Sequence, residues 1–235
     1  MKKIIFRFLI FTLLLIFGSI IYLSTIGIKT DVFNDQISKE VKKIDNQLEL
    51  NLDKISIILD PFKFKLMLKT VGANLKNRNK LIKLESIKSN IDIKTFINKK
   101  FSLSELDITT RTIEIKNLIS FIRSIKDSPQ IYILEKFVKK GYLIADINLK
   151  FDQKGNIKDD FIIKGFVKDG EVKPLKKINL SKINLIFNLQ NNKFEFKDIN
   201  LSYDNNDLTF PELNIKKQNK IYREFGRRNG QVKGP

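Results

Sequence analysis

Twenty-one consecutive uncharged residues, Phe8 to Ile28, follow the basic start Met1, Lys2, Lys3 and Arg7. At about 1.5 Å per residue, about 20 such residues in a helix cross the hydrocarbon core of a bilayer. Tyr22, near the far end, sits where an interfacial aromatic belongs. A cleaved signal peptide is the competing reading, but its apolar region spans only about 7–15 residues and ends in a small-x-small site. Ser24-Thr25-Ile26-Gly27-Ile28 offers no clean site of that kind. Residues 1–29 therefore read as a cytoplasmic start and an uncleaved transmembrane anchor. The basic residues before it predict a cytoplasmic N-terminus, and long downstream domains translocate largely regardless of charge. The bulk of the chain is expected outside the cytoplasm, which in a double-membrane bacterium means a single-pass inner-membrane protein facing the periplasm.

Composition removes several chemistries. The chain has no His and no Cys, so the common zinc sites, thiol nucleophiles and His-based acid–base pairs cannot be built. The formal charge is +18, which by itself would suit an anionic partner. Most Lys residues, however, stand singly between apolar residues and form no patch. The richness in Ile, Lys, Asn and Phe matches AT-rich coding sequence. Extracytoplasmic placement leaves no nucleic acid to bind.

Past the anchor, Phe33, Ile37, Val41, Ile44 and Leu48 recur at helical spacing, with Asp31 as a candidate N-cap. From Leu48 the period becomes two: Leu48, Leu50 and Leu52, then a slip of phase, then Ile55 and Ile57. Asp60-Pro61 marks a turn, after which Phe62, Phe64, Leu66 and Leu68 alternate with Lys63, Lys65, Met67 and Lys69. Such alternation belongs to strands with one buried and one wet face. Val71–Lys80 reads as a loop. Short strands then follow to Ile115, and a helical insertion at about 117–140 is interrupted by Asp127-Ser128-Pro129. Alternation resumes over Leu143–Phe151 and Phe161–Val167, with Asp169-Gly170 read as a hairpin turn, and again over Ile183–Leu189 and the strands to Phe210. Phe101-x-Leu103-x-x-Leu106-x-Ile108 and Phe194-x-Phe196-x-x-Ile199-x-Leu201 share one shape, strand, one-residue slip, strand. Residues 30–215 are thus one β-rich domain. Residues 216–235 lose the alternation and hold three of the seven Arg and three of the ten Gly, which predicts a disordered basic tail. The fold class is mainly β with a few helices (α+β), an N-terminal transmembrane helix followed by an antiparallel, curved or groove-forming sheet.

No catalytic, metal or cofactor site is expected. The acidic residues fall in turns or on polar strand faces, where solvated carboxylates belong, and no Gly forms a phosphate-binding loop. What remains is the apolar face. A second sheet or the 117–140 helices could cover it as an ordinary core, or lipid acyl chains could, at about 0.8 kcal/mol per buried CH₂.

The order of these features resembles the N-terminal region of the AsmA-like family (AsmA/TamB type). The resemblance rests on the basic start and single helix, the amphipathic segment Asp31–Gln47, the alternating Leu48–Ile58, Asp60-Pro61 before a further strand, and the units Phe101–Ile108 and Phe194–Leu201. Lys139 to Leu149 fits the family's style of strand entry. The resemblance implies an inner-membrane-anchored, non-enzymatic periplasmic protein of outer-membrane biogenesis, passing phospholipid passively along a hydrophobic β-groove. On it, Phe62, Phe64, Leu66, Leu68, Ile183, Leu185 and Phe187 are candidates for groove lining, and the expected partners are the inner membrane, phospholipid acyl chains and outer-membrane assembly proteins. Family members are much longer, so this chain is expected to be a membrane-proximal part or a short relative. The alternatives are an anchored envelope-assembly scaffold that carries no lipid and a compact jelly-roll component of lipopolysaccharide export.

Overall fold

The computed structural model describes the chain apart from residues 1, 33, 43–44, 64, 93–102, 153–157, 176, 205, 219–220, 226–230 and 234–235. The apolar run forms helix α1 (Lys2–Thr25), long and apolar enough to span a membrane, with the spanning window wholly unburied. Its hydroxyls are satisfied within the helix: Thr12, Ser19, Ser24 and Thr25 each donate to the carbonyl four residues back at 2.7–2.9 Å. The helix stops before Ile28. Gly27 takes φ 71°, and a Cβ there would lie 2.4 Å from the Ile57 carbonyl oxygen, so only glycine lets the chain turn this close to the sheet. Ile28–Thr30 then forms β1, a short edge strand.

Helix α2 (Asn34–Lys42) follows, shorter than the helical spacing of Phe33 to Leu48 predicts. Among the described residues Asp31 makes no side-chain capping bond; its carbonyl accepts from Asn34 N at 2.9 Å. The strands are β2 (Leu48–Asn51), β3 (Ile55–Asp60), β4 (Lys65–Val71), β5 (Asn74–Asn77), β6 (Lys80–Asp92), β7 (Leu103–Thr110) and β8 (Ile113–Glu114). Two helices, α3 (Ile115–Ile125) and α4 (Pro129–Phe137), occupy the stretch read as helical. Then come β9 (Val138–Lys150), β10 (Ile162–Leu175), β11 (Ile178–Gln190), β12 (Lys193–Tyr203), β13 (Asn206–Gln218), β14 (Ile221–Phe225) and β15 (Gln231–Lys233). All pairings are antiparallel, in one open sheet of order β1-β3-β4-β6-β7-β9-β10-β11-β12-β13-β14, with β2 on β5, β5 on β6, β8 on β9 and β15 on β13.

One line of phase slips crosses this sheet. β2 and β3 meet β5 and β4 in one unbroken register, and β5 and β4 meet β6 likewise. Across the break, Gly72 N donates to the Glu85 carbonyl (3.0 Å) and Leu84 N to that of Ala73 (2.8 Å). Yet apolar positions change parity there, from Ile55, Leu68 and Ile91 to Leu48, Leu50, Ala73, Ile82 and Leu84. The slip between Leu52 and Ile55 in the sequence is this line, with Gly72 at φ 74° as its hinge. In the other half, Asp169, Lys182 and Asp198 take φ of 50–53° at successive strands, each beside a register shift. Such backbone is costly for a residue with a Cβ. Asparagines offset it: Asn184 Nδ2 donates to the Lys182 carbonyl (2.8 Å), Asn200 Nδ2 to that of Asp198 (3.1 Å), and Asp169 N donates to Asn184 Oδ1 (3.1 Å).

This geometry corrects three expectations. Asp169-Gly170 is a bulge inside β10, not a hairpin turn, because the same residue types that favour turns also accept the positive φ of a bulge. Val71–Lys80 is not a loop: it holds the end of β4 and all of β5, and its only turn is at Arg78-Asn79. The segment 216–235, expected to be without structure, carries the end of β13 and strands β14 and β15, both paired to β13. Backbone pairing to an open edge needs no apolar face. In both repeat units the one-residue slip coincides with an irregular register, at Leu103–Glu105 opposite β6 and at Asp198 opposite β11; Phe101 lies outside the described residues.

A small buried cluster, Ile55, Leu68 and Ile91 with Ile37, Leu52 and Ile57 packed against it, lies on the near side of the slip line, and the larger core lies beyond it in the first half of the chain. Leu48, Leu50, Ala73, Ile82, Leu84, Ile113 and Phe121 form it, joined by Ile37 and Val41 from α2 and Leu118 and Ile125 from α3. α2 is tied down by Ser38 Oγ donating to the Leu50 carbonyl (3.2 Å) and Asn34 Nδ2 to that of Asp53 (3.2 Å). α4 begins with Ser128 as N-cap and Pro129 in its first turn. Arg123 bonds Asp127 (3.1 Å) and Glu135 (2.5 Å), joining α3 to α4.

Gly165 sits between Ala145 and Phe187 in the cross-strand ladder. A Cβ there would lie 2.1 Å from the Ile144 carbonyl oxygen and 2.7 Å from Phe187 Cζ; the phenyl ring lies over the bare backbone. Gly165→Ala should therefore destabilise the protein by about 1–3 kcal/mol, the usual cost of overpacking, read as a lower urea midpoint by far-UV circular dichroism. An unchanged midpoint would mean that the two strands part freely here.

Candidate functional site

Side chains of directly paired residues share a face, so the register alone builds the site. Starting at the anchor, one face carries Ile28, then Ile57 and Leu59 of β3, Leu66 and Leu68 of β4, Ile87 and Ile91 of β6, and Leu106 and Ile108 of β7. It continues through Leu143, Ala145, Ile147 and Leu149 of β9, Ile163 and Val167 of β10, and Leu185, Phe187 and Leu189 of β11. Phe194 and Phe196 of β12 and Leu213 and Ile215 of β13 end it. Nine strand-to-strand steps separate β1 from β13, about 43 Å at 4.8 Å per step.

Helix α1 packs on β3, and the other described helices pack chiefly on β2, β5, β6, β8, β9 and β10. Among the described residues, no helix makes a principal contact with β11, β12 or β13. From Leu143 to Ile215 the side chains on this face are mostly half-buried, shielding one another across strands.

Of the residues expected to line a groove, Leu66, Leu68, Leu185 and Phe187 lie on this one face, Leu68 and Phe187 buried (5% and 7% exposed) and the other two half-buried. Five strand steps, about 24 Å, part the β4 pair from the β11 pair. Ile183 is half-buried at the slip line, opposite Gly170. Phe62 is not in the face: it stands 94% exposed in the turn after β3. Phe64 lies outside the described residues. Sequence reasoning left Leu106, Ile147, Leu149, Ile163, Phe194 and Phe196 out of the site. Their alternation was visible, but which alternating strands share a face follows from pairing between distant segments.

The opposite face is polar and internally bonded. Asn90 Nδ2 and Asn148 Nδ2 both donate to the Glu105 carboxylate (3.1 and 2.8 Å), and Asn148 also donates to Asp107 (2.6 Å). Thr109 bonds Asp146 (2.7 Å), and Asn188 and Lys193 both hold Glu195 (2.7 and 2.5 Å). Apolar residues interrupt this face at Ile58 and Met67 and in the row Ile144, Phe166 and Ile186, the last two 43% and 50% exposed. The sheet thus has one mainly apolar and one mainly polar face. Donation from Asn148, then from Asn90, lowers the Glu105 pKa against the opposing effect of burial, and Lys193 lowers that of Glu195.

A lowered folded-state pKa means that the unfolded chain binds the proton more readily. The stabilisation is therefore present above the unfolded value and is lost as pH falls through the folded one. NMR titration of the Glu105 carboxyl should give a midpoint below the ordinary 4.5. Asn148→Ala should move that midpoint up and make the loss of stability on acidification begin at higher pH. A midpoint unmoved by Asn148→Ala would remove this pair from the account.

No protein-family profile, no curated protein and no solved structure matches this chain.

Proposed function

We propose that this chain is a membrane-anchored carrier that passes phospholipid acyl chains along the apolar face of its sheet without covalent chemistry, as an AsmA-like protein of the inner membrane serving outer-membrane biogenesis. One observation carries the reading. The apolar face begins at β1, immediately after an apolar helix long enough to span a membrane, and continues strand by strand along the main path of the sheet to β13. A chain leaving the bilayer beside α1 would meet apolar surface at once. Each CH₂ kept from water there contributes about 0.8 kcal/mol, and the face has the same character along its length, so no single position traps the lipid. The polar ladder on the reverse side keeps the sheet soluble while the apolar side is in use. The basic residues before α1 support a cytoplasmic N-terminus, and the sequence resemblance supports a periplasmic bulk and a role in outer-membrane biogenesis.

The test is lipid mass spectrometry on the chain expressed without α1. Phospholipid should co-purify in stoichiometric amount. Leu185→Lys and Leu66→Lys should each lower it by roughly thirtyfold or more, because a charge on a lipid-facing strand position costs about 2–4 kcal/mol, while far-UV circular dichroism stays unchanged. A folded, lipid-free protein would sink the reading in favour of an anchored scaffold, and the exposed Phe166 and Ile186 would then be the first surface to mutate in search of an assembly partner.

A further inference from the structure

The turn after β3 displays an aromatic side chain that the fold could have buried. Asp60 Oδ1 accepts from Phe62 N (3.1 Å) and Lys63 N (3.0 Å), a closed Asx-type turn that fixes the backbone. Phe62 stands 94% exposed on it, beside a Lys63 side chain that is 75% exposed. Solvent gives no reason for a rigid turn to hold a phenyl ring outward.

The path of the anchor gives one. Gly27 packs against Ile57, and β1 then runs from Ile28, opposite Ile57, to Thr30, opposite Ile55. The chain thus enters the sheet from the end at which β3 finishes and turns, and α1 packs on β3 itself. From Ile57 to Asp60 is about 10 Å of strand, matched by roughly seven residues of helix, which brings the turn level with Ile20 to Leu23. Burial agrees: Ile20, Leu23 and Ser24 are partly covered, whereas the side chains from Phe6 to Phe17 all stand exposed. The turn therefore lies beside the last turns of the apolar helix, at the depth where Tyr22 sits.

We infer that the β3–β4 turn is a second membrane contact, with Phe62 inserted into the interfacial zone of the bilayer and Lys63 among the lipid phosphates. An aromatic ring with a flanking lysine suits that boundary, where apolar bodies and charged tips are both accommodated. Two contacts, α1 and this turn, fix the tilt of the sheet and hold the first strands of its apolar face against the lipid. The inference rests on α1 being a membrane anchor.

The chain contains no Trp, so each single substitution is its own reporter. The full chain would be reconstituted in phosphatidylcholine–phosphatidylglycerol vesicles, with lipid brominated near the head of its acyl chains as quencher. Three variants are compared: Phe62→Trp in the turn, Tyr22→Trp in α1, and Leu175→Trp at the opposite end of the sheet. Emission from Phe62→Trp is expected to shift to the blue and to be quenched as strongly as that from Tyr22→Trp, with Leu175→Trp unquenched. Quenching of Tyr22→Trp without that of Phe62→Trp overturns the inference and leaves the anchor standing. No quenching at either position overturns the anchor, and the inference with it. Equal quenching of all three overturns it too, because the sheet would then lie flat on the membrane.

Discussion

Every strand that crosses the slip line gives up one step of its alternation there, and the rest of the structure depends on that shared irregularity. A period-two strand can keep one face apolar only while it stays in phase. If a single strand slipped alone, its apolar residues beyond the slip would turn to the polar side. Because β2/β3, β4/β5 and β6 slip together without losing register, the parity change is common to all three. Leu48, Leu50, Ala73, Ile82 and Leu84 then join Ile87 and Ile108 in one cluster. In β10, β11 and β12 the slip is made by Asp169, Lys182 and Asp198 in a conformation that glycine would adopt more cheaply. The two asparagines at Asn184 and Asn200 return part of that cost through their side-chain amides. The recurring Lys182-Ile183-Asn184 and Asp198-Ile199-Asn200 are the sequence trace of this device.

A sheet this long with one polar face faces a solubility problem as well as a packing one. Rows of amide and carboxylate groups at Asn90, Glu105, Asn148 and Asp107, and at Asn188 and Glu195, bond across strands and not only to water. Each such bond to a charged group is worth about 1.5–3 kcal/mol when well formed and less when solvated. Their greater effect is on register, since a one-residue slip would put Glu105 opposite an apolar residue and leave Asn90 and Asn148 without their acceptor. The polar face thus fixes the pairing that the apolar face exploits.

Much of this fold was legible from residues alone. The run Phe8–Ile28, the alternation in Leu143–Phe151 and Ile183–Leu189, and the break at Asp127-Ser128-Pro129 each report a local preference, and each local preference is realised. Failures cluster where two physical solutions share one sequence. Asp-Gly suits a hairpin turn and a bulge equally, and only the facing strand, with Asn184 ready to accept from Asp169 N, selects the bulge. Asn74 to Asn77 looked like loop because Asn and Lys are poor strand formers, yet pairing on both edges, to β2 and β6, overrides propensity. Of the site, Leu66, Leu68, Leu185 and Phe187 were found because their strands alternate clearly. Phe62 kept the same phase as Leu66 in the sequence and still fell outside the face. The Asx turn at Asp60 interrupts the strand between them, and alternation carries no information across a turn.

The anchor and the sheet are joined by two residues, Ile26 and Gly27, and that brevity has mechanical consequences. A flexible linker would leave the apolar face free to rotate relative to α1 or collapse onto a second copy of itself. Here α1 ends at Thr25, Gly27 packs against the Ile57 carbonyl, and Ile28 is already paired in the sheet. The chain loses almost no conformational freedom at the joint that folding of β1 has not already removed. The sheet therefore inherits its orientation from the helix, and what the helix fixes is the side of the molecule on which the apolar face begins. Under the proposed reading as a passive carrier, that is the property that matters, because transfer without an energy source depends on the path starting where the lipid is.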